Sequence, residues 1–218
     1  MNTIPILFED GEALVIDKPG GLPLDRPRRG GAALCDHLDA LRFGFQRRPT
    51  PAHRLDADTS GCLLLARNPK ALKRFAATFE AREVEKTYLG LVAGEVAEES
   101  GTIELALSKV SSAADGWRMI VARQGKPAIT HWRRLAAQNG LSLVEFRPVT
   151  GRTHQIRVHA LAGLGHALLG DPIYGAPDPR AARTMLHAAD LVIRRGAKPP
   201  ITAHAPVPAD FRALGLND

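Results

Sequence analysis

Short apolar runs, separated by turn residues, dominate the first third of the chain. Residues 4–8 and 13–16 flank the polar turn at 9–11 and predict a hairpin or two adjacent strands. Residues 62–66 form a continuous apolar run, which fits a buried strand and is too short for most helices. The polar stretch 53–61 precedes this run and ends in a glycine. We therefore expect a loop that leads directly into a buried strand.

Other segments show helical spacing. Apolar residues at positions 34, 38 and 41 predict a short helix over 33–42. Asn68 is predicted to cap a helix that begins at Pro69. Its buried face is predicted to comprise Leu72, Phe75, Ala76 and Phe79. A further helix is predicted to follow Gly151 and to end near Gly163 or Gly165, and a last short one begins at Pro208.

The remaining periodic segments read as strands. They are residues 86–92, 102–107, 117–122, 128–135, 141–149, 186–193 and 201–205. Their order predicts an antiparallel middle section rather than a strand–helix–strand repeat, so the fold class is α+β. A chain of 218 residues fits one large domain, or a domain with a small extension.

Composition restricts the class of protein. The chain is 44% hydrophobic and 24% charged, as expected for a globular domain, and its net charge of +6 favours a polyanionic partner. A basic surface kept for solubility is the alternative. Cys35 and Cys62 lack the spacing of a zinc site or disulfide framework. No signal peptide and no apolar run near ~18 residues is present, so we expect a cytoplasmic protein without a membrane span.

Three charged features of the sequence are candidates for function. Asp56 lies in the loop before the buried strand, where it can be a reactive carboxylate or an ordinary turn residue that accepts backbone N–H groups. The loop 25–32 carries Arg26, Arg28 and Arg29 and either contacts phosphates or is merely solvated. Arg152 is predicted in the first turn of a helix, where the helix dipole disfavours a cation. A residue that breaks a local rule is a candidate for function.

The chain contains two longer motifs and several shorter ones. The two longer motifs are His53-Arg54-Leu55-Asp56-x-x-Thr59-Ser60-Gly61 and Gly151-Arg152-Thr153-His154-Gln155-Ile156-Arg157-Val158-His159. The shorter ones are Lys18-Pro19-x-Gly21-Leu22, Lys86-Thr87-Tyr88, Gly170-Asp171-x-x-Tyr174-Gly175 and Leu186-His187-Ala188. Together, and in their order along the chain, they resemble the signatures of the RluA-type RNA pseudouridine synthases. The resemblance implies one catalytic domain over residues 1–218, with a mixed, mostly antiparallel sheet, flanking helices and a central cleft. It also implies a compact member without an S4-like RNA-binding domain.

The resemblance also implies roles for individual residues. Asp56 is expected to be the essential carboxylate, acting as nucleophile or as base, and Arg152 its cationic partner. Tyr88 is expected to pack on the flipped uracil, and Arg54 to enter the RNA stack in place of the target base. Substrate-binding roles are expected for His53, Thr59 and Arg157. The alternatives are a phosphate or surface contact for Arg152, a phosphate contact for Arg54 and a core position for Tyr88.

The implied reaction isomerises uridine to pseudouridine in a structured RNA, such as a stem-loop of tRNA or ribosomal RNA. It requires no cofactor and no metal, and we expect a monomer. His53, His154 and His159 lack a carboxylate or cysteine at a known zinc spacing. Two other classes remain as alternatives. One is an RNA-binding module without catalysis, and the other is a hydrolase that releases free uracil.

Overall fold

The computed structural model describes residues 4–28, 30–112 and 116–214, so Arg29 of the predicted basic loop lies outside the described residues. In chain order, the strands are β1 (Ile6–Glu9), β2 (Ala13–Lys18), β3 (Thr50–Pro51), β4 (Ser60–Ala66), β5 (Val84–Val92), β6 (Ser100–Glu104), β7 (Leu107–Ser112), β8 (Gly116–Val121), β9 (Ile129–Gln138), β10 (Leu141–Pro148), β11 (Leu186–Arg195) and β12 (Lys198–His204). The helices are α1 (Pro69–Glu80), α2 (Gln155–Leu164) and α3 (Ala209–Arg212), with 3-10 turns at Leu34–Asp36 and Ala40–Arg42.

The described residues divide into two compact units. The first unit draws on Met1–Lys86 and His187–Pro206, and the second on Thr87–Leu186 and Val207–Asp218. Strands β5 and β11 carry the chain across this division. The expectation of one catalytic domain over the whole chain stays a prediction.

Strand β4 is the centre of the first unit. All seven of its residues are buried, as the continuous apolar run predicts. It pairs antiparallel with β2, which in turn pairs with β1 in the predicted hairpin. On its other edge, β4 pairs parallel with β11 at its start and antiparallel with β3 at its end. Strand β12 extends this arrangement by pairing with β11.

The helix after β4 begins as predicted. The Asn68 side chain accepts the Ala71 backbone N–H at 2.8 Å, and Pro69 is the first helical residue. The predicted buried face is partly wrong, because Ala76 is exposed while Ala71 is buried beside Phe75. The observed pair Ala71 and Phe75 and the predicted pair Leu72 and Ala76 are each four residues apart, and positions i and i+4 share a side of a helix. The buried side is therefore displaced by one residue from the prediction.

The single helix predicted over 33–42 is two 3-10 turns. The Asp36 carboxylate accepts the Ala33 backbone N–H at 3.0 Å. This bond caps the first turn, because the N–H of the residue before a helix has no acceptor inside it. Both turns stay in the short 3-10 form. The second turn ends at Phe43, which has a left-handed backbone with φ of 48°. Apolar spacing therefore located the buried leucines correctly but not the type of helix.

The second unit is built on antiparallel strands. Strand β10 pairs with β5 and β9, and β9 pairs with β6. Strands β7 and β8 form a separate hairpin. The predicted strand over 102–107 is wrong as one element, because Leu107 begins β7 while β6 ends at Glu104. The fold class, α+β with a mixed and mostly antiparallel sheet, is confirmed. Within the described ranges, no helix is long and apolar enough to cross a membrane.

Candidate active site

Asp56 begins a tight four-residue turn just ahead of β4. The Asp56 carbonyl accepts a hydrogen bond from the Thr59 backbone N–H at 3.2 Å. Thr59 is buried and Asp56 is half-buried. On the other side of the turn, Leu55 is only 6% exposed and belongs to the core. The turn that carries the carboxylate is therefore anchored on both sides, and such support keeps a reactive group in place.

The ammonium group of Lys18 fastens this turn to the first hairpin. Lys18 is fully buried at the end of β2. Its Nζ donates to the carbonyls of Pro19 at 2.7 Å, Leu22 at 2.9 Å and Ala57 at 2.9 Å. These three acceptors match the three protons of an ammonium group and offset the cost of its burial. Lys18 thereby restrains the backbone immediately after Asp56.

The first residues of β4 are fixed by β11. The Ser60 hydroxyl and His187 Nδ1 lie 2.9 Å apart, and both residues are buried. His187 Nε2 lies 3.1 Å from the Ala205 carbonyl, which can only accept, so Nε2 carries a proton. In the neutral imidazole, Nδ1 then accepts the Ser60 hydroxyl proton. Gly61 has φ of 103°, and a side-chain carbon there would lie 2.2 Å from the Ala188 oxygen. Position 61 therefore requires glycine.

The His53 ring makes its contacts inside the first unit. Its Nε2 accepts the Leu64 backbone N–H at 3.0 Å, and the ring stacks on Phe79 with centroids 4.6 Å apart. Burial lowers the pKa of His53 to about 3, and the charge of Lys86 acts in the same direction. The imidazole is therefore neutral at pH 7 and supports the backbone of β4. A role for His53 in substrate binding stays a prediction.

Arg54 differs from its neighbours because it is exposed. It lies between the half-buried His53 and the buried Leu55. An exposed guanidinium can meet a phosphate or a base without first breaking contacts in the protein core. The position of Arg54 is therefore compatible with both roles considered for it, and its entry into an RNA stack stays a prediction.

Tyr88 lies on β5, where it is half-buried in the second unit. It is directly opposite Phe146 of β10 and packs against the apolar cluster to which Phe146 belongs. Lys86, two residues earlier on the same strand, has a pKa lowered to about 8 by burial. Tyr88 thus has one side in the core and part of its surface accessible. Contact with a flipped uracil stays a prediction.

Arg152 lies in a loop ahead of α2 and not in the first turn of a helix. The helix begins at Gln155, with His154 as the residue before it. The Gln155 Oε1 accepts the Arg152 backbone N–H at 2.9 Å, and the Gln155 N–H donates to the Arg152 carbonyl at 3.1 Å. These reciprocal bonds close the loop and delay the helix, so the expected conflict with the helix dipole does not arise. The Arg152 Nε donates to the Pro127 carbonyl at 3.2 Å.

Gln155 is a supporting residue that the sequence did not single out. It is buried, and its Nε2 donates to the Ile129 carbonyl and to the Thr130 hydroxyl, each at 2.9 Å. Its Oε1 accepts the Thr150 hydroxyl proton at 2.7 Å in addition to the Arg152 N–H. One amide therefore ties the Arg152 loop to β9. An amide at the start of a helix is common, so the sequence carried no distinctive signal for this role.

His154 has a left-handed backbone with φ of 53° and is held by aromatic neighbours. Its Nδ1 lies 2.9 Å from the Tyr174 hydroxyl, which also accepts the Met119 backbone N–H at 2.9 Å. The Trp117 ring stacks on His154 with centroids 4.8 Å apart. The hairpin of β7 and β8 therefore supports the end of the Arg152 loop.

Arg157 forms a buried ion pair with Asp171. The Arg157 Nε and Nη2 donate to the two Asp171 carboxylate oxygens at 2.7 Å each, and the Asp171 side chain is 0% exposed. Asp171 Oδ1 also accepts the backbone N–H groups of Ile173 and Tyr174. Burial raises the pKa of Asp171, but the Arg157 bonds and backbone donors outweigh it and leave the pKa lowered. Arg157 therefore fixes the turn 170–175, and its substrate-binding role stays a prediction.

The histidines considered for a metal site each have protein partners. His159 is buried, and its Nδ1 lies 2.9 Å from the Thr130 hydroxyl. Burial lowers the pKa of His159. No group of three or more His, Cys, Asp or Glu side chains in residues 4–28, 30–112 and 116–214 could hold a metal ion. Catalysis without a metal stays a prediction.

Comparison with known proteins gives consistent matches. A family model described as RNA pseudouridylate synthase matches residues 12–162. An uncharacterized RNA pseudouridine synthase of Zymomonas mobilis is 51% identical over 212 residues, which cover 97% of each chain. The ribosomal large subunit pseudouridine synthase D of Nitrosomonas europaea is 37% identical over 97% of this chain and 64% of its own length.

Solved structures agree with the sequence matches. Human RNA pseudouridylate synthase domain containing 1 superposes with a TM-score of 0.77 at 32% identity, over 94% of this chain and 83% of its own. Human RNA pseudouridylate synthase domain containing 4 superposes with a TM-score of 0.79 at 24% identity, over 98% of this chain and 94% of its own, which shows the shared fold. The chain therefore belongs to the RNA pseudouridylate synthase family and isomerises uridine to pseudouridine in RNA.

Proposed function

We propose that the enzyme acts on uridines in structured tRNA or ribosomal RNA and that Asp56 is its catalytic carboxylate. The observation that carries the second part is the Asp56 turn itself. Lys18 holds the turn backbone through the Ala57 carbonyl, and Thr59 closes the turn. Burial of a lysine ammonium costs free energy even when three backbone carbonyls bind it, and an ordinary surface loop does not require such a support. The same arrangement suits a loop that must hold a carboxylate in one place.

The reaction breaks the bond between ribose C1′ and uracil N1 and forms a bond between C1′ and C5. Nothing is added or lost overall, because the C5 proton leaves and N1 gains one. Asp56 either adds to the ribose or base as a nucleophile or removes the ribose 2′ proton as a base. Where positive charge develops at C1′ as the C1′–N1 bond breaks, a nearby carboxylate stabilises it, as in glycoside hydrolysis. The chemistry requires no redox partner, and none of the usual roles of a metal is needed.

Arg152 is the proposed cationic partner of Asp56. A guanidinium beside a half-buried carboxylate favours its ionised form and fixes its direction. The support for Arg152 is its place in the second family motif and the bonds by which Gln155 holds its loop. A loop fixed in this way loses less conformational entropy when the site is assembled.

Tyr88 and Arg54 are the proposed contacts to the target nucleotide. The half-buried Tyr88 offers a ring against which a free uracil can stack, with a contribution of ~1–3 kcal/mol. The exposed Arg54 can occupy the gap that the flipped base leaves and offset part of the few kcal/mol that flipping costs. Thr59, His53 and Arg157 are the further residues that we propose for substrate binding. We further propose a cytoplasmic monomer.

Pseudouridine mapping of total RNA tests the proposal. Cells with and without the gene are compared, and the purified enzyme is then added to RNA from the cells that lack it. We expect one or a few uridines in tRNA or ribosomal RNA to lose the modification without the gene and to regain it with the enzyme. Restored sites confined to other RNA classes would contradict the target, and released free uracil would indicate a hydrolase.

A further inference from the structure

Two half-exposed phenylalanines lie in a basic loop that the catalytic site does not use. Residues 42–48 read Arg-Phe-Gly-Phe-Gln-Arg-Arg, and all seven are exposed. Phe43 is 49% exposed and Phe45 is 39% exposed. Large apolar side chains in contact with solvent indicate a surface that meets a partner when several of them lie together. We call residues 42–48 the aromatic–arginine loop.

The loop is held in a defined shape. The Arg42 carbonyl accepts the Phe45 backbone N–H at 3.1 Å, and the Arg42 guanidinium donates to the Gln46 carbonyl at 3.2 Å and pairs with Asp39. Phe43 has a left-handed backbone with φ of 48°, which is rare for a bulky residue. A ring presented by a closed turn binds with a smaller loss of entropy than one on an open loop.

Both rings rest on one buried guanidinium. Arg67 is 4% exposed, and its Cζ lies 4.1 Å from the Phe45 ring centroid and 5.9 Å from that of Phe43. The Arg67 Nη1 donates to the Asp10 carbonyl at 2.8 Å, and its Nη2 lies 2.8 Å from a Glu9 carboxylate oxygen. Arg67 is therefore a fixed support for the Phe45 ring, and 39% of the Phe45 surface stays exposed.

Charge selects the chemistry of the partner. The aromatic–arginine loop contains three arginines, at positions 42, 47 and 48, and no acidic residue, and Arg42 pairs with Asp39 outside the loop. Accessible rings beside arginines suit nucleobases that stack while the arginines meet phosphates. Two phenylalanines are also too small a surface for a stable protein interface, which takes about 800 Å² from each partner.

The loop lies at the opposite end of β4 from the Asp56 turn. Arg67 directly follows β4, and the Asp56 turn directly precedes it. Six steps along a strand span roughly 20 Å. A ligand on the aromatic–arginine loop is therefore separate from the nucleotide that reacts at Asp56.

We propose that the aromatic–arginine loop is a second RNA contact, at which unpaired bases flanking the target site stack on Phe43 and Phe45. Arg47 and Arg48 contact the phosphates of the same segment. This inference rests on the proposed action on RNA and adds a contact that aligns the RNA relative to Asp56.

Binding of a fluorescein-labelled 20-nucleotide oligouridylate and of a short stem-loop with a uridine loop tests the rings. We expect the double variant Phe43→Ala/Phe45→Ala to raise the Kd at least about fivefold, the lower limit for loss of one stacked base. Replacement of both rings by leucine is expected to weaken binding to a similar extent, since it keeps apolar surface but removes the ring face. Phe45→Trp is expected to retain binding.

The matched control is Leu135→Ala/Leu161→Ala, which removes two residues that are 42% and 41% exposed and lie elsewhere. Its Kd is expected to equal that of the wild type. If the wild type binds neither RNA, the proposed action on structured RNA fails. If the wild type binds and the alanine and leucine variants bind equally well, the second contact fails. A change in oligomeric state with unchanged RNA affinity would assign the loop to a second copy of the chain and also overturn the inference.

The salt dependence of the same binding tests the arginines. Arg47→Gln/Arg48→Gln is expected to reduce the slope of log K against log salt by about 0.7 for each lost phosphate contact on single-stranded RNA. The control Arg133→Gln/Arg147→Gln removes the same charge from two residues that are each 60% exposed. An equal reduction in both variants would mean that only net charge matters and would contradict a local contact.

Discussion

At the scale of single residues, the candidate site depends on buried polar groups whose partners are backbone atoms. Lys18 donates to three carbonyls, and the His53 ring accepts a backbone N–H of β4. Neither residue type is unusual at its position, since a lysine after an apolar run and a histidine in a loop are both common. The motif could mark Lys18 and His53, but only the folded chain reveals what each one holds.

Replacement of Lys18 by methionine tests its positioning role. The variant keeps the apolar stem and leaves the Ala57 carbonyl without its ammonium donor, so the Asp56 turn is expected to shift. We expect kcat to fall about 10-fold to 100-fold with little change in KM, because displacements of about 1 Å can have such effects. Lys198→Met, at a lysine that is 57% exposed, is the control and should leave kcat unchanged. An unchanged kcat in the folded Lys18 variant would contradict the role.

The neutral His53 predicts a pH dependence of stability. Its folded pKa is about 3, below the usual value of 6.5, so the unfolded chain binds the additional proton between these values. The contribution of the neutral His53 to the free energy of unfolding is therefore complete above pH 6.5. It is lost as the pH falls toward 3, at up to ~1.4 kcal/mol per pH unit. Urea unfolding of wild type and His53→Gln should give curves that converge on acidification. Parallel curves would show that the ring titrates normally.

At the scale of elements, the sequence predicted β4, its preceding loop and the cap of α1 because each depends on local residues. A short run of apolar residues predicts a buried strand, and an Asn-Pro pair predicts the start of a helix, without reference to the rest of the chain. The start of α2 was predicted too early, since Gln155 closes the Arg152 loop through its side chain. The segment 33–42 forms two 3-10 turns instead of one helix, and three apolar positions at helical spacing do not distinguish the two forms. The spacing of apolar residues does not reveal a hydrogen bond such as the one from the Arg152 backbone to the Gln155 side chain.

The buried Arg157–Asp171 pair links α2 to the turn 170–175, and its loss should destabilise the fold. Asp171→Asn leaves a buried guanidinium without its counter-charge, which costs about 3–5 kcal/mol. The control is Glu85→Gln, since the Glu85 and Arg194 side chains of that pair are 62% and 81% exposed and exposed pairs contribute at most ~1 kcal/mol. Urea unfolding measures both variants. Equal losses would show that burial of the Arg157–Asp171 pair has no energetic importance.

At the scale of the whole molecule, the ordered motifs predicted the family correctly, although each motif alone is short. They extend from Lys18 to His187 and therefore draw on both compact units. The net charge of +6 agrees with an RNA partner without identifying it. The aromatic–arginine loop could not be predicted, because its two phenylalanines depend on Arg67, which is distant in sequence.

The measurement that tests the central claim most directly is single-turnover isomerisation by Asp56→Asn. The substrate is total RNA from cells that lack the gene, and pseudouridine is read at the sites that the wild type restores. We expect the variant to bind RNA and unfold like the wild type but to lose at least about 1000-fold in rate. Asp58→Asn, two residues later in the same turn, should stay within about tenfold of the wild type. Isomerisation by a folded Asp56→Asn enzyme at a comparable rate would contradict the assignment of Asp56.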